Sequence, residues 1–250
     1  MKVGFVTDIH EDIANLEHAL KLLHDQHCDE IVCLGDIVGF AIPFYKNISS
    51  RDADACVKAV IKNCSHSVIG NHDLYAIKKV PVHKAGFEYK ENWYSLDYEI
   101  RSRLSRNKIW LYEDSEIPCT LSQESTNFLN SLNEFTIVKT KDYSFFVSHF
   151  CHPDFTGSSI QFPSEGFHLK NHFSFMESNN CVISFSGHGH PEGCLIGNYE
   201  KIYSLDFGIH DIKDEVQWIV APSVAKTSRR NGVLIFDSDR MQLVIIPLSR

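Results

Sequence analysis

Short apolar runs alternate with amphipathic stretches through the first third of the chain. "KVGFVTD" (2–8) is apolar almost throughout, as expected of a strand covered on both faces. Residues 12–27 place Ile13, Leu16, Ala19, Leu20 and Leu23 at helical spacing, with Asp12 as a candidate N-cap. "EIVCLGD" (30–36) repeats the buried-strand pattern, 52–62 repeats the helical one, and "HSVIG" (66–70) reads as a third short strand. This βαβαβ order predicts a layered α/β sheet with parallel neighbours.

The pattern changes over residues 74–135, which are aromatic, charged and poor in β-branched runs. "YKENWYSLDYEIRSRLS" and "LSQESTNFLNSLNEF" have helical character, so a helical insert is expected here on one rim of the sheet. Its aromatics Phe87, Tyr89, Trp93 and Tyr94 are read first as packing and second as a substrate-facing wall. Strand patterns return at "YSFFVSH" (143–149) and "CVISFSG" (181–187). The shorter runs "CLIGNY", "KIYSLDF", "VQWIVA", "NGVLIFD" and "MQLVIIP" then suggest an antiparallel meander. No repeat or low-complexity linker divides the chain, so one domain over 1–250 is expected.

Composition narrows the function classes. A net charge of −8 argues against a broad basic face for nucleic acid, though not against a local cationic pocket. The apolar start is broken by Asp8, which excludes a signal peptide or a spanning helix there. The eight cysteines contain no C-x-x-C; Cys28, Cys33, Cys181 and Cys194 lie in or beside apolar runs. They read as reduced core cysteines of a cytoplasmic protein.

The chemistry lies at the strand ends. After the successive buried runs come Asp8 and His10, then Gly35-Asp36, then Gly70-Asn71-His72-Asp73, then His149, then Gly187-His188-Gly189-His190. Ligands of open α/β sheets bind at the carboxyl ends of strands, so residues scattered over most of the chain are expected to converge. Asp8 and His10 are two apart, as are His188 and His190, which in extended backbone aims each pair to one side. Each piece alone has a bland reading, a turn or a packed histidine; five in order do not.

The series D-x-H, G-D, G-N-H-D, H and G-H-x-H resembles that of the calcineurin-like metallophosphoesterases, in particular the small, compact bacterial and archaeal phosphodiesterase branch. The resemblance implies a layered β-sandwich flanked by helices and a two-metal centre. Asp8, His10 and His190 would hold one metal, Asn71, His149 and His188 the other, and Asp36 would bridge. A metal-bridging hydroxide would attack phosphorus, and His72 would protonate the leaving group. Asp73 would be structural. A ligand set of carboxylate, imidazole and amide suits Mn, Fe, Zn, Co or Ni better than Ca or Mg, with Mn expected first. Two divalent ions outweigh the charges of Asp8 and Asp36, leaving a cationic site for an anionic phosphate ester.

Departures from the family bear on substrate. "IVGFAIP" follows Gly35-Asp36 where protein phosphatases and diadenosine tetraphosphatases carry Asp-Arg-Gly, which argues against those branches. Ala221-Pro222-Ser223 stands where small members read N-P-G-S. Arg229 and Arg230 are candidate phosphate contacts or solvated surface arginines, and His152 a candidate pocket residue beside the bland His168 and His172. The expected activity is phosphodiester hydrolysis. The alternatives are a metal-dependent nuclease, with nucleic acid as substrate, a phosphomonoesterase, and a non-enzymatic scaffold of the same fold.

Overall fold

The computed structural model describes residues 1–140 and 143–248. The expected opening units are present. Strand β1 (Lys2–Val6) leads to helix α1 (Ile13–Asp25), β2 (Glu30–Cys33), helix α2 (Ala53–Asn63) and the short β4 (His66–Ser67). Parallel pairing joins β1 to β2 and β2 to β4. Asp12 caps α1: its Oδ1 accepts from Asn15 N at 3.2 Å, and its Oδ2 accepts from Lys226 N at 3.0 Å.

Residues 74–135 are less helical than expected. Helix α3 (Asn71–Ala76) starts before the stretch, α4 (Tyr98–Ser105) and α5 (Gln123–Ser131) lie within it, and the two-residue β5 (Glu116–Ile117) pairs with β3 (Phe40–Ala41). Only the last part of "YKENWYSLDYEIRSRLS" is α-helical; Trp93–Ser95 forms a single 3-10 turn. Leu129 of α5 joins the core that α1 and α2 form on the first sheet, so α5 is integral to the helical layer. Phe87 and Trp93 are buried with Ile109 in a separate small cluster that Tyr89 and Tyr94 border, which is the packing role expected of them.

The later strands are β6 (Phe135–Lys139), β7 (Ser144–Ser148), β8 (Ile183–Ser186), β9 (Cys194–Gly197), β10 (Ile202–Leu205), β11 (Gly208–Asp211), β12 (Gln217–Val220), β13 (Gly232–Asp237) and β14 (Gln242–Pro247). They do not form one meander. One sheet has the order β11-β14-β13-β1-β2-β4 and the other β10-β9-β12-β8-β7-β6. Alternating apolar positions mark each as a strand but carry no information on which sheet it joins. The hairpins β9–β10 and β13–β14 are local, whereas β12 crosses to run parallel to β8 and β13 returns antiparallel to β1, with Lys2 opposite Asp237.

The two sheets share an apolar seam. Val3, Phe5, Val32 and Leu34 of one meet Phe145, Val147, Ile183, Phe185 and Ile219 of the other. Along β1 the alternate side chain Val6 instead faces the helical layer with Leu16, Leu20 and Leu23 of α1. The outer face of the second sheet is covered by helix α6 (Lys170–Ser178) through Phe173 and Met176, packed near Phe146 and Trp218. The result is helices, sheet, sheet, helix, the sandwich the resemblance implies. Both sheets turn their β1, β2, β7 and β8 ends to one edge, where the loops carrying Asp8, Asp36, His149 and His188 emerge. Cys33, Cys181 and Cys194 are buried and Cys28 is partly exposed; all eight cysteines are free. Among the described residues no helix is long and apolar enough to cross a membrane.

Phe5 and Phe185 stack across the seam with ring centroids 4.3 Å apart, and both are fully buried. Phe185→Ala is expected to cost about 3–5 kcal/mol of stability, read from the shift in urea midpoint. A cost below about 1 kcal/mol would show that the seam does not depend on this ring pair.

Candidate metal centre

All of the candidate ligands meet at this edge. Ligand atoms of Asp8, His10 and His190 lie within 4.8 Å of one another, as do those of Asp36, His149 and His188, and a third such group joins His10, Asp36 and His72. His190 Nε2 is 2.9 Å and His10 Nε2 3.9 Å from Asp8 Oδ1. His149 Nε2 is 3.0 Å from Asp36 Oδ2, and His10 Nε2 is 3.8 Å from it. Asn71 begins α3 on the same cleft.

The convergence has a different backbone cause from the extended geometry expected. Asp8, His10, Asp36, His188 and His190 have φ of 50°, 42°, 53°, 65° and 44°. These are left-handed conformations that cost a non-glycine residue about 1–3 kcal/mol each and persist only where surroundings enforce them. Here the enforcement is visible. Asp8 N donates to Gly35 O and His10 N to Asp36 O, both at 3.1 Å, tying the first ligand loop to the second. From the other side, Val224 N donates to Thr7 O at 2.9 Å and Ala225 N to Asp8 O at 3.0 Å.

The remaining contacts aim each donor atom. His10 Nδ1 lies 2.8 Å from Gly39 O and His149 Nδ1 2.8 Å from Leu34 O. A carbonyl only accepts, so both histidines carry a proton on Nδ1, which directs Nε2 at the centre; for His149, burial opposes charge but Asp36 and then Asp8 raise the pKa to about 9. Asp8 Oδ2 accepts from Thr7 Oγ1 at 2.9 Å and from His188 N at 3.0 Å, which leaves Oδ1 toward His10 and His190. Asp36 Oδ1 accepts from His72 N at 2.9 Å, which leaves Oδ2 between His10 and His149. Asn71 Nδ2 donates to Tyr112 Oη at 2.6 Å, which leaves its Oδ1 free of that contact. Tyr45 stacks on the His10 ring at 4.2 Å. Gly39, at φ 92°, passes so close to His72 that a Cβ would sit 2.7 Å from its Nδ1; Gly187 leaves no room for one beside the Asp8 carboxylate, 2.7 Å from Oδ2.

The donor set fits divalent ions by a test internal to the protein. His10 Nε2, His149 Nε2 and Asn71 Oδ1 are buried and make no aligned hydrogen bond. Buried polar atoms ordinarily have partners, and two such nitrogens beside two carboxylates, with a third such atom on the same cleft, are the pattern a metal completes. Electrostatics agree. Burial opposes charge on Asp8 and Asp36, but His190 and His149 beside Asp8, and His149 and His72 beside Asp36, hold both well below the usual carboxylate range. His10 and His188 are pushed down to about 3, first by burial and then by neighbouring histidines, so both are neutral lone-pair donors.

His72 is not placed like the others. Its Nδ1 hydrogen-bonds Glu116, its Nε2 lies 4.0 Å from Asp36 Oδ2, and its ring borders the cleft against Tyr112. Burial would lower its pKa, but Asp36 and then Glu116 raise it to about 9. Glu116 was not identifiable in the sequence. It arrives through the β3–β5 ribbon, where it pairs with Ala41, and Arg51 anchors that ribbon by donating to Ile117 O at 3.0 Å and Pro118 O at 2.7 Å while pairing with Glu11. Asp73 is structural as expected: Oδ1 accepts from Ile37 N at 2.8 Å and Val38 N at 3.0 Å, and Oδ2 from Gly70 N at 3.0 Å. It thereby pins the Asp36 loop to the start of α3.

The centre opens into a cleft of about 680 Å³. The insert does line it, but through Trp110, Leu111, Tyr112 and Ser115 rather than Trp93 or Tyr94. Arg229 also lines it, its Nη1 donating to His190 O at 3.0 Å, whereas Arg230 is drawn to Glu192 and Asp206. His152 does not line the cleft; it stacks on Phe175, and His172 is a buried structural histidine bonded to Ser184 Oγ at 2.8 Å. His168 is exposed and accepts from Ser164 N and Glu165 N.

Comparison with known proteins places these observations. The sequence model of the calcineurin-like phosphoesterase family matches residues 1–192. A metallophosphoesterase from Sphaerobacter thermophilus is similar over 100% of this chain and 88% of its own, with 20% identity and a TM-score of 0.66. A hypothetical protein from Pyrococcus horikoshii OT3 is similar over 99% of this chain and 88% of its own, with 11% identity and a TM-score of 0.60. At these identities the likeness is one of fold. No curated protein matches the chain.

Two substitutions separate the roles assigned by geometry. Asp36→Asn is expected to weaken metal binding at both positions, measured by elemental analysis after dialysis; two ions retained at wild-type affinity would rule out a bridging carboxylate. Asp73→Ala leaves three backbone N–H groups without their acceptor and is expected to cost at least about 3 kcal/mol of stability in denaturant unfolding.

Proposed function

This chain belongs to the calcineurin-like phosphoesterase family, and we propose that it is a dimetal-dependent phosphodiesterase with His72 as general acid. The observation that carries the reading is the convergence of the His10, His149, His188 and His190 rings on the buried Asp8 and Asp36 carboxylates, with His10 Nε2, His149 Nε2 and Asn71 Oδ1 lacking an aligned hydrogen bond. Asp8, His10 and His190 would hold one ion, Asn71, His149 and His188 the other, and Asp36 would serve both. When bound, divalent ions, Mn first among Mn, Fe, Zn, Co and Ni, would polarise the phosphoryl group and supply an activated water.

The chain's own residues do the rest. His72 carries a proton at Nε2 beside the cleft, and the Glu116 carboxylate at Nδ1 stabilises the charged ring. As the new P–O bond to water forms and the ester P–O bond breaks, the leaving oxygen takes the His72 proton. The Tyr112 hydroxyl holds the Asn71 amide in place, and Tyr45 fixes the His10 ring plane. Arg229, at the cleft, suits a non-bridging phosphate oxygen. The free cysteines support a reducing, cytoplasmic setting.

Purified protein is expected to hydrolyse bis-p-nitrophenyl phosphate with added Mn and to lose that activity to chelator; equal turnover after metal stripping overturns the proposal. A monoester hydrolysed far faster than any diester would move the reading to a phosphomonoesterase. His72→Ala is expected to keep both ions and to slow alkyl esters by ~10²–10⁴-fold, with a smaller loss on nitrophenyl esters, whose leaving group needs no proton. Glu116→Gln should show the same leaving-group dependence in weaker form. Equal slowing of both ester classes, with chemistry limiting the rate, refutes the acid role.

A further inference from the structure

Resting on the phosphodiesterase reading of the centre, we propose that the cleft above it is a nucleotide subsite, with Trp110 and Phe162 holding a nucleobase of the substrate. Large apolar side chains exposed beside a polar centre call for an explanation, and here they gather at one mouth. Trp110 is 47%, Phe162 43% and Phe44 62% exposed, and all three line the cleft. The first two come from segments far apart in sequence that a small antiparallel bridge brings together. Ile109 pairs with Ser159, Trp110 N donates to Ser158 O and Ile160 N to Lys108 O, both at 3.0 Å.

Phe162 is also tied to the centre itself. Its ring lies over Gly189, where a Cβ would meet Phe162 Cζ at 3.2 Å, between the candidate ligands His188 and His190. A group attached to a phosphorus at the centre therefore reaches this ring directly. Two cations, Lys46 and Arg229, line the same cleft, and among the described residues neither forms a salt bridge with a carboxylate. In a chain of net charge −8, two unneutralised cations at one mouth mark the place for negative charge. Ser115 lines the same wall, and its hydroxyl, which donates to Tyr112 O at 3.4 Å, keeps its acceptor lone pairs. Flat ring faces, a hydroxyl and cations match a heteroaromatic base with polar edges and a phosphate; an alkyl chain would use only the first. The cleft volume of about 680 Å³ suits a small ligand of this kind.

The test compares two ligands that share one phosphate and differ in the base. Mn-loaded protein is titrated with adenosine 5′-monophosphate and with ribose 5-phosphate by calorimetry. The nucleotide is expected to bind about 10-fold more tightly, the usual scale of base–aromatic stacking. It should also quench tryptophan fluorescence, since Trp93 and Trp218 are buried and Trp110 is half exposed. Trp110→Ala and Phe162→Ala should each reduce the nucleotide's advantage, and Trp110→Phe should keep most of it. Equal affinities in the wild type, or an advantage untouched by both alanine variants, overturn this inference while Mn-dependent diester hydrolysis leaves the phosphodiesterase reading standing. Failure to bind either phosphate, together with no metal-dependent hydrolysis, overturns both.

Discussion

Two carboxylates removed from water set the terms for this molecule. Asp8 and Asp36 are almost fully buried at the edge where both sheets end, and each is kept ionised by imidazoles rather than by solvent. Burying a charge is costly unless it is paired and hydrogen-bonded, and one oxygen of each carboxylate is satisfied by protein N–H or O–H groups. The other oxygen of each faces imidazole nitrogens, and Asp8 Oδ1 also accepts from His188 N at 3.2 Å. The structure around the edge is arranged to hold these groups together: the left-handed backbone at five candidate ligands, the cross-links between loops and the Asp73 staple all act there. Stability is spent there so that a cationic partner has a place prepared for it.

The positions of the candidate ligands were legible because each follows an apolar run, and strand ends of a layered α/β fold point one way. The periodicity of α1 and its Asp12 cap were likewise local signals that the fold kept. What the sequence hid is non-local. Strands β9 to β14 alternate correctly as strands, yet their division between two sheets depends on which faces they bury. The left-handed turns at Asp8 and His10 replace the extended geometry that the two-residue spacing suggested, because loop–loop hydrogen bonds outweigh local preference. Glu116 sits in an aperiodic stretch, and only the pairing of β3 with β5 reveals that it reaches His72.

The insert divides its labour in a way that composition could not show. Phe87 and Trp93 supply a small apolar core that makes the segment rigid, while Trp110, Tyr112 and Glu116 use that rigidity at the cleft. The scaffold beneath positions the candidate ligands from strand ends. The groups that line the rest of the cleft come from outside the sandwich.

The pairing of β1 with β13 places the first ligand loop under the control of late sequence. Until residues 232–237 pair with it, one side of β1 is open, and until residues 224–225 dock, the carbonyls of Thr7 and Asp8 lack their donors. During synthesis, this upstream part of the candidate centre therefore waits on segments made much later. A nascent chain carries every candidate ligand through His190 well before it can hold them in place. The order of synthesis thus separates the appearance of the candidate ligands from their positioning.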